Sequence, residues 1–354
     1  MDFSTYTNSL STLTTAQVQA LTRTDLASLT VAQATAVDAA FIGALLPSQI
    51  PGFATDDLVL LTTAAIAAIT QDQVTGLSVT QMAVLTSTQL GALTNTAIAA
   101  LSNRQIAALT TDQVNTLNTA KLNDLTSTQM TYLALVDVAA LSSAGIAALA
   151  DAKLQSLTLK QVGALTTQQI ASFNTATLRA LTTDQVPGLS NGALAILSDA
   201  SLAAFSGVQI QALKTSQVAA LTTSQFSVIT STTLRALTTS QIVAIEIADL
   251  NVLTPDSLSV LQSDQLQALT ATQIAGLTSQ QVYDLNTKVI STLSTKQIAA
   301  IEATDLAVIG VEIFAGFNSA QVRALNTTQI SGLTTNQLAG LNSSWVSSLS
   351  TTQL

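Results

Sequence analysis

A chain of 354 residues with a formal net charge of −9, no cysteine and no histidine excludes disulfides, thiolate nucleophiles and imidazole acid–base or metal chemistry. The acidic balance, with a pI near 4.2, argues against nucleic acid and anionic membrane surfaces as partners. Mean hydropathy is high at +0.47, yet Thr, Ser, Gln or Asn interrupts every apolar run before the roughly 18 residues of a membrane span, so no membrane insertion is expected.

Met1–Leu10 (MDFSTYTNSL) lacks a basic segment followed by an apolar one and does not read as a secretory signal peptide. Residues 1–12 are taken as an N-terminal segment. From Leu13 to Leu349 every eighth residue is Leu, Ile, Val or Phe, 43 positions without an insertion or deletion. Residues 13–354 are therefore one octapeptide-repeat array. Five residues after each of these sits a second apolar stripe, Val18, Leu26, Ala34 and Ile42 onward to Leu354. The consensus is L-T-x-x-Q-[I/V/L]-x-A, clearest in Leu109-Thr110-Thr111-Asp112-Gln113-Val114.

That consensus is helical. Position 2 is Ser, Thr, Asn or Asp in 34 of 43 octads, and position 5 is Gln in 24; Thr followed three residues later by Gln is a capping box. Each octad thus predicts a cap and about seven helical residues ending at the next Leu. Of 20 acidic residues, 14 lie at positions 3 to 5, the first helical turn, where the macrodipole favours anions. Pro47 and Pro255 fall at position 3, where a helix tolerates proline. Pro51 and Pro187 fall at position 7 and predict distorted octads. Position 8 is mostly Ala or Gly, small enough for close packing. Helices this short need neighbours, so the predicted fold is an all-α solenoid. A β-solenoid is the alternative, disfavoured because the apolar stripes are spaced five and three rather than two.

A longer period overlies the octad. Gln is missing from position 5 at Ala65, Lys121, Thr177, Thr233, Val289 and Trp345, each seven octads from the next, and again at Asp137, Ala193, Asp249 and Asp305. The unit is seven octads. Two explanations stay open: a turn of three and a half octads, so that one face returns every second turn, or a 56-residue unit that was simply duplicated. The array stops at Leu354 in mid-octad without a polar cap, which suggests a piece of a longer array or ends covered by a partner.

Functional signals are sparse. Thr rows invite an ice-binding reading, but position-2 hydroxyls are expected to be used as caps. The acids are scattered singly with no calcium-loop pattern, so no metal or cofactor is expected. Arg179, Arg235 and Arg323 share position 7 and read as a solvated face; Trp345, the only Trp, is a contact residue or an apolar replacement. No Gly-rich phosphate loop, H-E-x-x-H or G-x-S-x-G is present, and Asp56–Asp57 fits the first-turn pattern, so the chain does not read as an enzyme. Three octads per unit, such as 245–268 and 301–324, carry the weakest consensus. There Ile247, Val311 and Ile313 place apolar side chains at usually polar sites. They are the candidate contact face for self-association; passive duplication is the competing account.

Leu213-Lys214-Thr215-Ser216-Gln217-Val218-Ala219-Ala220-Leu221-Thr222-Thr223-Ser224-Gln225-Phe226 resembles the tandem LTxxQ-type tracts of large bacterial surface proteins described as adhesin-like. The resemblance implies an extracellular or cell-surface location and a stalk, filament or matrix role. Its partners would be further copies of the chain, or a surface protein or glycan. A binding module recognising a protein or glycan through the variable octads is the alternative.

Overall fold

The computed structural model describes residues 10–284 and 287–354, without the side chains of 255, 256, 284 and 287–289. Residues 1–9 of the N-terminal segment, Leu285 of the first apolar stripe and the side chain of Pro255 thus lie outside the described residues. The fold is all-α. Among the described residues each complete octad forms one short helix and none forms a strand, so the β-solenoid alternative falls away. The helices divide into two compact units, one ending at Leu181 and the other Thr182–Leu354.

The helix Ser87–Ala92 shows how an octad folds. Thr86 is extended (φ −66°, ψ 156°) and its hydroxyl accepts from the Gln89 N–H, while the Gln89 side chain reaches back to the Thr86 N–H. Leu93 then ends the helix in an extended conformation (φ −56°, ψ 141°). Because position 1 leaves the helix and position 2 must be extended to cap the next, the helices span four to six residues rather than the seven expected. The chain reverses out of each helix without any positive φ among the described residues. The octads with proline at position 7 are distorted as their sequence predicts: Ile50–Gly52 and Val186–Gly188 are 3-10 turns.

Positions 1 and 6 form the core. Leu85, Leu90, Leu93 and Ile98 are all buried, each such side chain contributing about 1.5–3 kcal/mol. Leu10, in a 3-10 turn over Leu10–Thr12, is also buried and its turn packs on the helix Ala39–Ala44; the end of the N-terminal segment joins the array.

The coil period follows from hydrogen bonds. In the first unit Gln89 Nε2 donates to the Leu58 and Leu61 carbonyls at 2.8 and 2.9 Å. In the second, Gln225 Nε2 donates to those of Leu194 and Leu197, both at 2.9 Å. The offsets of 31 and 28 residues recur in both units; Gln129 instead pairs with the carbonyls 30 and 28 residues earlier. One turn is therefore 28 residues, or 3.5 octads, and of the two explanations for the 56-residue unit the first holds: it is two turns. Since 28 is not a multiple of eight, each helix sits over the junction between two octads of the preceding turn.

Candidate functional site

The most constant polar group in the chain is the position-5 Gln, and its environment defines what an octad does. Gln113 is 1% exposed. Its Oε1 accepts from the Thr110 N–H at 2.7 Å, and its Nε2 donates to the Met82 and Leu85 carbonyls at 2.8 and 2.6 Å. One amide thus caps its own helix and binds the carbonyls that end a helix of the preceding turn, where intrahelical donors are absent. The inter-turn half of this role was not read from the sequence. A signal existed: a capping box takes Glu as readily as Gln, yet no octad has Glu at position 5. Only the amide can donate.

Where either capping residue is replaced, part of the arrangement survives. Lys214 and Gln262 lack a capping hydroxyl at position 2, but their N–H groups still donate to Gln217 and Gln265 Oε1 at 2.7 and 2.9 Å. Lys121, buried at position 5, donates its ammonium to the Gly91 carbonyl, and Lys153 does so to that of Leu125. Burial lowers the Lys121 pKa from its ordinary 10.5. Asp137, Asp249 and Asp305 instead accept a hydroxyl 26 residues earlier, from Thr111, Thr223 and Ser279 at 2.8, 2.8 and 2.5 Å. Burial raises the Asp249 carboxyl above its ordinary 3.8, opposed by the Thr223 hydrogen bond and reinforced by the negative charge of Glu246. Trp345 is an apolar replacement: it is buried, its ring lies 5.2 Å from that of Phe314, and its Nε1 has no partner.

The sequence-derived contact residues are not gathered into one stripe. Ile247 is 36% exposed, while Val311 and Ile313 are half-buried. Val311 follows Ile247 by two full turns and a further octad, so it sits more than a quarter of the way round the coil. Both are seated in glycine notches of the following turn. A Cβ on Gly276 would stand 2.5 Å from Ile247 Cγ2, and one on Gly340 2.1 Å from Val311 Cγ1. Gly76 and Gly52 receive the position-3 backbones of Pro47 and Arg23 in the same way, at 2.6 and 2.8 Å. In all four pairs the glycine lies one position beyond a full turn from its partner, position 8 against position 3.

Other singled-out residues have ordinary surroundings. The position-2 hydroxyls accept cap hydrogen bonds, as Thr166 does from the Gln169 N–H at 3.2 Å. Arg235 is exposed, and Arg323 donates to the Ser348 carbonyl at 3.2 Å. Among the described residues no three acidic side chains come together as a metal site, and no helix is long and apolar enough to cross a membrane.

A coil of short helices, most of them capped, with an inter-turn amide wherever position 5 keeps its Gln, defines a tandem-repeat solenoid. The model of the ALTTAQ repeat matches at 82–119, 242–279, 298–335 and 314–351. All four matches begin at octad position 6, at Met82, Ile242, Ile298 and Phe314, so they share the register read from the sequence: the chain is a tandem-repeat protein. No curated protein matches it.

Proposed function

We propose that the chain is a non-enzymatic structural rod, a stalk, filament or matrix element outside the cell that acts by self-association or adhesion. The observation that carries this reading is the fixed destination of the polar side chains. Positions 2 and 5, the two most constant polar sites, are engaged in the same cap and inter-turn bonds in both units. What repeats is architecture. The resemblance to adhesin-like tracts supports the extracellular part of the proposal.

Small-angle scattering of the purified chain, with immunogold labelling of the source cells, tests it. Elongated particles and label at or beyond the cell surface are expected. A compact particle, or label confined to the cell interior, overturns it. One observation favours the binding-module reading: an open polar hollow of about 320 Å³ lined by Arg235, Thr238, Thr239, Gln262 and Asp264. Glycan-array binding lost on Arg235→Ala would support that reading.

A further inference from the structure

Residues 28 apart stack in columns within each unit, so charges scattered along the sequence can be placed around the coil. In Thr182–Leu354 the stretches 190–200, 218–228, 246–256, 274–284, 302–312 and 330–340 occupy one set of eleven columns. Leaving out Asp256 and Asp284, this sector holds six acidic residues and no basic one. Asp199, Glu246, Glu302 and Glu312 are exposed; Asp249 and Asp305 are buried. The remaining seventeen columns, leaving out Lys288, hold four basic residues against Asp184 and Asp264. Those four, Lys214, Arg235, Lys296 and Arg323, are all exposed. The middle of the acidic sector and the mean column of the basic residues are about 12 of 28 columns apart, close to opposite sides of the coil.

We propose that this unit docks side by side with a second copy of the chain, the acidic sector of one against the basic sector of the next. The complementarity extends to height. In two parallel copies without axial shift, the exposed base nearest in height to Asp199 is Lys214, to Glu246 Arg235, to Glu302 Lys296 and to Glu312 Arg323. The sequence separations are 15, 11, 6 and 11 residues. None much exceeds half of the 28-residue turn, so every exposed acid has a base of the facing sector within about half a turn's rise. The two sectors differ, so the contact is heterologous, and with the sectors nearly opposite it propagates into an open row instead of closing into a ring. Each exposed pair is weak and screened by salt; the row of pairs supplies both attraction and register.

The proposal rests on the rod reading and names its partner. Sedimentation of the full chain at about 20 mM and about 500 mM NaCl tests it, with circular dichroism and small-angle scattering on the same samples. Assemblies at low salt that fall to single chains at high salt are expected. Glu246→Lys with Glu302→Lys, and separately Lys214→Glu with Lys296→Glu, should each leave single chains at low salt, and mixing the two variants should restore assembly. An elongated helical chain that stays single at low salt overturns the docking and leaves the rod intact. So does an assembly indifferent to salt or to either reversal. A chain that is neither elongated nor helical overturns the rod reading and the docking with it.

Discussion

At the scale of the residue, stability depends on one amide with three bonds. Replacing Gln113 by Leu removes the acceptor for the Thr110 N–H and both donors to Met82 and Leu85. With buried groups left unpaired, the expected loss is about 2–4 kcal/mol, read from denaturant melts; a loss below about 0.5 kcal/mol, the size of an ordinary surface substitution, would contradict the role. Asp249 makes the converse prediction. Its folded pKa is raised above 3.8, so the folded chain holds that proton more tightly than the unfolded one. Its contribution to stability therefore falls as pH rises from 3.8 through the raised folded value, and the penalty is complete at neutral pH. Asp249→Asn is expected to stabilise the chain at pH 7 by about 0.5–1 kcal/mol, with the gain vanishing as pH drops below 3.8; thermal melts from pH 3 to 7 check it. At this scale the cap was legible because its partners are three residues apart. The inter-turn bond was not, because its partners are 28 and 31 residues apart and nothing local points to them.

At the scale of the element, a helix of four to six residues is held by its cap and by the turns on either side. Thr166→Ala removes the acceptor for the Gln169 N–H and should cost about 1 kcal/mol, whereas Thr167→Ala, one residue into the helix and exposed, should change stability by less than about 0.5 kcal/mol. Equal effects would mean that the cap is not the stabilising contact. Position 8 makes a different demand. Gly276 has an ordinary negative φ of −89°, so glycine is there for room and not for backbone freedom. Gly276→Ala should cost about 1–3 kcal/mol against Ile247, and Ile247→Ala should relieve most of that cost in the double variant. The sequence showed small residues at position 8; that they receive position 3 of the preceding turn depends on the coil period, which was open. Ile247 and Val311 stood out for the same reason. Both are apolar side chains at usually polar sites, and the structure places each beside a glycine of the following turn.

At the scale of the whole molecule, the octad and the turn are incommensurate, and that mismatch explains the 56-residue unit as the shortest stretch in which both repeat. Stability in such an array is a sum over neighbouring turns, so protection should vary along it. Within the second unit the helices Asn191–Ala195 and Asp199–Leu202 follow one another without a position-5 Gln, as do Ile247–Asn251 and Pro255–Ser259, and Ala303–Leu306 and Val311–Ala315. Amide exchange is expected to be fastest in those three stretches and slowest around Gln209–Gln225 and Gln265–Gln281; uniform exchange would contradict the ladder. The period itself is the central claim, and a chain without native cysteine allows it to be measured by oxidation of introduced pairs. Ile247→Cys with Gly276→Cys, whose positions meet between successive turns, should form an intramolecular disulfide rapidly and keep its helicity. Ile247→Cys with Ala268→Cys, the same octad positions one repeat earlier, should stay reduced. Crosslinking of the second pair in preference to the first would contradict a turn of 28 residues.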